Sequence, residues 1–289
     1  MSIKVLYTPF RYKGITETLF RLALDRVKGH NYSRILYIAP TPKKIRDSQQ
    51  KFYGLVKSGY IPPEMMTIKQ LSKRLYSTHG DKTMISHPIV PIIISQLSGR
   101  GIGFASLVAN FISEVKQYHP EKDIETIHIL LKDIFYELNI PEDVSRRAME
   151  AFELFREYQK LLTQRSVLDE NDVLAACPSL IKQHSYSPEI LILDGFYEIT
   201  RSEEAALKAL LENTTYALIS MPYDINFNEI TDSYNSFIRN NFKCEEVYLS
   251  PEGHDSESAY YSYPGKEEEI EGIAKHIKNS YISGKRRDL

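Results

Sequence analysis

The chain opens with two apolar runs, each followed by a stretch of helical periodicity. Residues 3–7 (IKVLY) are typical of a strand, and apolar positions recur at helical spacing over residues 16–27. Residues 34–39 (RILYIA) form a second run, which is followed by a proline-containing turn and a polar helix over residues 43–56. Two successive strand–helix units with nearly all-apolar strands predict a parallel sheet that helices cover on both faces.

The pattern changes over residues 62–164, where helical periodicity dominates and no alternating strand run occurs. Helices are predicted there at residues 68–76, 91–97, 104–118, 124–138 and 141–162. Strand patterns return at residues 189–193 (EILIL) and 216–220 (YALIS), with a helix over residues 202–211 between them. We therefore predict a sheet that is interrupted by a helical insertion and then resumes.

The last part of the chain carries weaker signals. Residues 223–264 are polar and rich in Asn, Ser and Tyr, with a predicted strand at residues 245–249, and residues 266–281 are predicted to be helical. The chain stops at residues 284–289 (GKRRDL) without the pattern that ends a helix or a strand. We therefore expect it to be a fragment of a longer protein.

Length and composition fit a globular protein. The 289 residues include 42% hydrophobic side chains, which is enough for one large domain or two smaller ones. No run of about eighteen uncharged apolar residues occurs, and the N-terminus lacks the charged head and apolar middle of a secretory signal. We expect a cytoplasmic protein without membrane contact. Cys177 and Cys244 are too few for a disulfide framework and lack the spacing of a metal site.

The turn between the first strand and its helix lies where a phosphate-binding loop would lie. Residues 9–16 (PFRYKGIT) have the spacing of G-x-x-x-x-G-K-[ST], in which backbone N–H groups and Lys bind phosphate and Ser or Thr holds Mg²⁺. Gly14 and Thr16 fit this pattern, whereas Pro9 replaces the first glycine and Ile15 the lysine. An ordinary strand–helix turn with Thr16 as the helix N-cap is the alternative.

Asp194 directly follows the apolar run 190–193. Nucleotide hydrolases place an acid here to hold the water shell of Mg²⁺, usually followed by a Glu that activates the attacking water. Gly195 occupies that second position. Asp194 is therefore either the remnant of such a site or a plain turn residue at the end of a strand.

Five segments, in order along the chain, resemble the N-terminal helicase-like region of AddB/RexB-type helicase–nuclease B subunits, which are relatives of UvrD-like superfamily 1 helicases. Residues 194–200 (DGFYEIT) resemble the degenerate Walker B segment of that family. The other segments that carry the resemblance are 36–44 (LYIAPTPKK, motif Ia), 66–75 (MTIKQLSKRL, the T-F-H-S segment), 168–174 (LDENDVL, the L-D-F-D-D-L segment) and 268–277 (EEIEGIAKHI, the lead into the second helicase domain).

The resemblance implies an α/β fold: a parallel sheet of P-loop NTPase type with a helical insertion domain and the start of a second α/β domain. Helicase domain 1A would comprise residues 1–61 plus 165–225, and the helical insertion domain 1B residues 62–164. Residues 226–289 would form a linker and the beginning of the second helicase-like domain. The nuclease domain of the family would lie beyond these residues.

The resemblance also implies a motor that has lost ATP hydrolysis. Gly14, Thr16 and Asp194 would be vestigial nucleotide-binding residues, because Ile15 and Gly195 stand where the phosphate-binding Lys and the catalytic Glu would be. We expect no catalytic residue, no metal ligand and no cofactor in this region. ATP and Mg²⁺ would bind only if the degenerate loop still holds them.

The partners that the resemblance implies are single-stranded or forked DNA and an A-type helicase–nuclease subunit. The motif Ia match makes Thr41, Lys43 and Lys44 candidate contacts to DNA phosphates, and the T-F-H-S match adds Thr67 and Lys69. Each of these residues could instead be part of a solvated helix start. The formal net charge of −2 gives no general attraction for nucleic acid, so DNA contact would need local basic patches.

Three functions remain open from the sequence. The first is a non-hydrolysing scaffold and single-stranded-DNA-binding module of a double-strand-break repair helicase–nuclease complex. The second is an active P-loop ATPase or helicase domain that uses Lys13 as a displaced phosphate ligand, and Gly195 counts against it. The third is an α/β protein-interaction scaffold without DNA binding.

Overall fold

The computed structural model describes residues 2–9, 12, 14–27, 29–56, 59–223, 232–249, 269–275 and 278. The chain divides into two compact units, residues 1–251 and residues 252–289. Of the helix predicted over residues 266–281, the described residues 269–275 and 278 are helical. The rest of that prediction lies outside the described residues.

The first unit alternates strands and helices. Its strands are β1 (Ser2–Thr8), β2 (Ile35–Ile38), β3 (Glu64–Met66), β4 (Thr83–Met84), β5 (Val167–Leu168), β6 (Ile190–Leu193), β7 (Tyr216–Pro222) and β8 (Glu245–Tyr248). Its α-helices are α1 (Ile15–Leu24), α2 (Pro42–Leu55), α3 (Ile68–His79), α4 (Val90–Ser98), α5 (Ile102–Tyr118), α6 (Ile124–Glu137), α7 (Glu142–Arg165), α8 (Glu170–Gln183), α9 (Arg201–Glu212) and α10 (Asp232–Asn241). A 3₁₀ turn (His87–Ile89) precedes α4.

Six strands form one sheet in the order β3-β2-β6-β7-β1-β8, and every neighbouring pair is parallel. The prediction that the runs at residues 3–7, 35–39, 190–193 and 216–220 share one parallel sheet is confirmed. Residues 62–164, which were predicted to be helical, also contain two short strands: β3 pairs with β2 at one edge of this sheet, and β4 pairs with β5. Three residues are too short to show a strand pattern.

Helices cover both faces of the sheet, as predicted. α1 and α2 pack on one face through residues such as Phe20 and Phe52, whereas α3, α8, α9 and α10 pack on the other. Connections that run toward β3 place their helices on the first face, and connections that run toward β8 place theirs on the second. This is the arrangement that right-handed crossovers require.

Helices α4 to α7 pack around an apolar cluster of their own, which includes Ile94, Ile112 and Phe152. The five helices predicted between residues 62 and 164 are all present, but α3 packs onto the sheet through Ile68 and Leu71 rather than into this cluster. β4 and β5, at the two ends of the segment, pair with each other. The helical segment and the sheet belong to the same compact unit.

Two helices of the first unit were not predicted. α8 contains Pro178, a residue that normally breaks helices, and α10 has the polar sequence DSYNSFIRNN.

Within the described residues no single helix has the length and apolar character needed to cross a membrane. The 3₁₀ turn and α4 taken together with α5 meet those two criteria, but the pair is bent by 115°.

Candidate functional site

Of the polar residues singled out from the sequence, Thr16, Lys44 and Asp194 are in contact at the carboxyl edge of the main sheet. β2 and β6 are neighbours, and the helices that follow them, α2 and α9, pack on opposite faces. Such a divergence opens a crevice at the carboxyl ends of the strands, which is where ligands bind in open α/β sheets. Asp194 follows β6 at this point, and Lys44 lies in the first turn of α2.

Asp194 is the centre of the site, with 1% of its surface exposed. Its Oδ2 atom accepts hydrogen bonds from the Thr16 hydroxyl at 2.7 Å and the Tyr37 hydroxyl at 2.6 Å, and it pairs with Lys44 Nζ at 3.0 Å. Its Oδ1 atom accepts a hydrogen bond from the Ser220 hydroxyl at 2.8 Å. Donors from α1, β2, α2 and β7 therefore converge on one carboxylate.

The protonation of this cluster follows from its hydrogen bonds. Burial raises the pKa of Asp194, but the charge of Lys44 and the hydrogen bonds from Tyr37, Thr16 and Lys44 outweigh it, so the pKa lies below its ordinary value. Burial, then the charge of Asp194, raise the pKa of Tyr37. Tyr37 therefore stays protonated and donates to Asp194, so that Ser48, 2.7 Å away, donates to the Tyr37 oxygen.

The N-cap of α1 is not Thr16, the residue that the sequence offered as the alternative to a phosphate-binding role. Gly14, not Thr16, is the N-cap of α1, and its φ of 102° is a left-handed conformation that favours glycine. Thr16 lies inside the first turn, 1% exposed, and donates to Asp194 across the site. The turn after β1 and Asp194 therefore lie at the same edge of the sheet. Lys13, the displaced phosphate ligand of the second hypothesis, lies outside the described residues.

Gly195 has a structural role beside Asp194. Its φ is +81°, and its N–H donates to Ser220 Oγ at 3.0 Å. A Cβ atom at this position would lie 3.2 Å from Cε of Lys44. A side chain at residue 195 would therefore be strained in its backbone and would crowd the Lys44 stem.

The candidate DNA contacts lie at two helix starts. Thr41 caps α2, where its side chain accepts from Lys44 N at 3.2 Å, and Lys43 is exposed. The alternative of a solvated helix start fits Lys43 but not Lys44, because α2 directs Lys44 toward Asp194 and its side chain is 29% exposed.

The second helix start is that of α3. Thr67 forms a capping box with Gln70 and is 6% exposed, so that its hydroxyl is engaged within the chain. Lys69 is exposed, and its Nζ lies 3.4 Å from the side-chain oxygen of Gln117 on α5. Lys69 is therefore the solvent-facing member of this pair.

A second buried ion cluster was not anticipated. Lys116 of α5 pairs with Asp169 at 2.7 Å and with Asp172 at 2.8 Å, and the Tyr158 hydroxyl of α7 donates to Asp169 at 3.1 Å. Asp169 also caps α8. The cluster connects α5 and α7 to α8, which packs on the sheet. The helix-cap pattern D-x-x-D was its only signal in the sequence.

An open groove lies beside the start of α9. It is lined by the ends of α5 and α9 and includes His119, Lys122, Arg201 and Lys208 together with Glu121 and Glu204. A neighbouring groove shares Tyr118, Arg201 and Glu204 and continues along α10. The mixture of both charge signs gives these grooves no clear preference for an anion or a cation.

Comparisons add no further identification. No protein-family model and no curated protein matches this chain. Within the described residues, no three His, Cys, Asp or Glu side chains cluster as a metal site.

Proposed function

We propose that this chain is a P-loop-type, helicase-like region that does not hydrolyse ATP and serves as a scaffold and single-stranded-DNA-binding module of a DNA-repair helicase–nuclease complex. The observation that carries the proposal is the contact between Thr16 and Asp194 at the carboxyl edge of the sheet. Thr16 lies in the first turn of the helix after β1, and Asp194 directly follows β6, with β7 lying between the two strands. A P-loop site needs a hydroxyl and an acid from two such elements to hold Mg²⁺.

Three features support the loss of hydrolysis. Ile15 offers no charge to a γ-phosphate, Gly195 offers no base to a water molecule, and the charge of Asp194 is already compensated by Lys44. A single missing transition-state contact typically costs about 3–4 kcal/mol of barrier, or a factor of about 10²–10³ in rate. Two missing groups leave the chain far below ordinary turnover.

An ATPase assay with and without single-stranded DNA tests this part of the proposal. We expect no DNA-stimulated turnover above roughly 1 s⁻¹, which lies within the ordinary enzyme range. The Ile15→Lys variant should remain inactive, because the position of the water-activating acid is still occupied by Gly195. Turnover by the unmodified chain, or rescue by Ile15→Lys alone, would overturn the proposal.

DNA binding is supported by the arrangement of two helix starts. α2 and α3 begin directly after β2 and β3, which are neighbours in the parallel sheet, so both N-termini lie at the same edge. Helix N-termini attract phosphate through their free N–H groups and their dipole. Lys43 and Lys69 are the exposed cations in these two first turns. We place the DNA phosphates along this edge, with Thr41, Lys44 and Thr67 shaping it.

Fluorescence anisotropy with a labelled single-stranded oligonucleotide, measured over a range of salt concentrations, tests the DNA path. Each phosphate contact on a single strand contributes about 0.7 to the log–log salt slope, so Lys43→Ala and Lys69→Ala should each lower the slope by about that amount. Lys160→Ala, at an exposed position of α7, is the matched control and should leave the slope unchanged.

The outcomes separate the remaining candidates. If Lys43→Ala and Lys69→Ala bind like the control, the DNA path lies elsewhere on the chain. Absence of binding at low salt by the unmodified chain would favour an interaction scaffold without DNA affinity.

A further inference from the structure

The ammonium group of Lys44 lies between two oxygen atoms of the site. Its Nζ is 3.0 Å from the hydroxyl of Thr16 and 3.0 Å from Oδ2 of Asp194. Thr16 and Asp194 are themselves in contact at 2.7 Å. One cationic atom therefore contacts the two side chains that come from the helix after β1 and from the end of β6.

The oxygen atoms around Lys44 are those that a hard divalent cation prefers. Mg²⁺ is bound in nucleotide sites by one or two carboxylates, by hydroxyl oxygen and by several waters, not by a cage of protein ligands. In P-loop proteins a Ser or Thr hydroxyl and an Asp carboxylate hold the ion. Thr16 and Asp194 supply this pair of groups, with the Ser220 hydroxyl on the far side of the carboxylate.

We propose that the Lys44 ammonium is a tethered cation that takes the place of a divalent metal ion between Thr16 and Asp194. The crevice is then a latent Mg²⁺ site, from which a side chain of the chain itself excludes the metal. The Lys44 side chain supplies the positive charge that compensates the buried Asp194 carboxylate, so no bound ion is needed. This assignment rests on the P-loop-type part of the proposed function and on the geometry around Lys44, and it does not depend on DNA binding.

The packing around Lys44 is built for this arrangement. The cap of α2 by Thr41 fixes the first turn of the helix, from which Lys44 reaches Asp194. Its stem passes over Gly195, where a Cβ atom would lie 3.2, 3.6 and 3.7 Å from Cε, Cδ and Cγ of the lysine. Absence of a side chain at residue 195 therefore removes the position of a catalytic acid and also makes room for the tethered cation.

A different assignment would make Lys44 a phosphate ligand that replaces the lysine missing at Ile15. The two assignments predict opposite effects of removing the ammonium. If Lys44 substitutes for a metal ion, its removal should leave a vacant, negatively charged site with increased affinity for divalent cations. If Lys44 is a phosphate ligand, its removal should lower the affinity of the chain for nucleotide.

Mn²⁺ binding followed by electron paramagnetic resonance tests the proposal on the full chain. We expect Lys44→Ala to bind one Mn²⁺ at least about tenfold more tightly than the unmodified chain, because metal no longer has to break a buried ion pair. Lys43→Ala removes the same charge one residue away, at an exposed position, and should bind like the unmodified chain. The Lys44→Ala/Asp194→Asn double variant should lose the gained affinity.

A second variant and a second measurement cover the case in which Lys44→Ala folds poorly. Lys44→Gln retains a side chain that can hydrogen-bond to Thr16 and Asp194 while removing the charge. Mg²⁺ or Mn²⁺ should raise the melting temperature of Lys44→Ala and Lys44→Gln, and should leave that of Lys43→Ala unchanged. A folded Lys44→Ala with no more Mn²⁺ affinity than Lys43→Ala would overturn the proposal. So would ATP binding by the unmodified chain that Lys44→Ala abolishes.

Discussion

Replacement of Lys44 by Ala should lower stability in a way that depends on pH. The substitution removes the only ionic partner of Asp194 within the described residues and leaves three hydroxyl donors, from Thr16, Tyr37 and Ser220. Asp194, which is 1% exposed, would have to remain ionised without a counter-charge or take up a proton. Either alternative costs folding free energy at neutral pH.

The size of the loss follows from burial. Removing one partner of a fully buried ion pair costs about 3–5 kcal/mol. The Lys44 side chain is 29% exposed and the hydroxyl donors remain, so we expect a loss of about 1–3 kcal/mol at pH 7. In a unit of this size, such a loss corresponds to a fall of about 2–12 °C in melting temperature.

The direction of the pKa shift of Asp194 determines how the stability difference changes with pH. In the unmodified chain the pKa of Asp194 lies below its ordinary value of 3.8, so its contribution to stability is complete above that pH and is lost as pH falls through the folded pKa. Without Lys44, burial is no longer outweighed by a positive charge, and we expect the pKa to rise above 3.8. The variant then gains stability relative to the unmodified chain as pH falls toward that value.

Urea unfolding followed by circular dichroism at pH 7 and near pH 4 measures both effects. The difference in unfolding free energy between the unmodified chain and Lys44→Ala should be larger at pH 7 than near pH 4. Lys43→Ala should stay within about 0.5 kcal/mol of the unmodified chain at both pH values, as surface substitutions usually do. A Lys44→Ala difference that is equal at both pH values, or larger at low pH, would refute the reasoning.

Three further substitutions test the remaining contacts by the same unfolding assay. Gly195→Ala should cost about 1–3 kcal/mol because of the positive φ and the approach to Lys44, and losses that simply add in the Gly195→Ala/Lys44→Ala double variant would show that the two residues do not interact. Tyr37→Phe should cost about 1–2 kcal/mol, since it removes a donor to Asp194 and the acceptor of Ser48; an unchanged midpoint would contradict this. Lys116→Met should cost about 3–5 kcal/mol by leaving Asp169 and Asp172 without a cation, and should speed hydrogen exchange in α5 and α7 more than in α1; uniform exchange would argue against a local clamp.

The main sheet could be predicted because its central strands are fully apolar. β2 and β6 are buried over their whole length, and a run of this kind between turn signals has few other interpretations. Of the two edge strands, β3 was not predicted, because three residues do not show a strand pattern, whereas β8 lies within the strand predicted at residues 245–249 although it is mostly exposed. α8 was missed for a different reason, since packing against α3 and α9 overrides the helix-breaking tendency of Pro178.

Residues of the site could be predicted from the sequence only where a motif marks the end of a strand or the start of a helix. Thr16 and Asp194 both lie at junctions between a strand and a helix or loop, so the parallel order of the strands was enough to bring them to one edge. The sequence does not separate Lys44 from Lys43 as a candidate DNA contact, because both lysines lie in the segment that resembles motif Ia. Adjacent residues on a helix point about 100° apart, so only one of them can face the sheet.

The phase of α2 distinguishes the two lysines. Ile45, Ser48 and Phe52 are the buried positions of this helix, and Lys44 lies one turn before Ser48 on the same side. Ser48 in turn bonds Tyr37, which bonds Asp194, so the inward side of α2 carries its polar residues toward the carboxylate. A lysine on the buried side of a helix needs a counter-charge. Asp194, which directly follows the strand beside β2, is placed to supply that charge, so the burial of Lys44 and the compensation of Asp194 depend on the same ion pair.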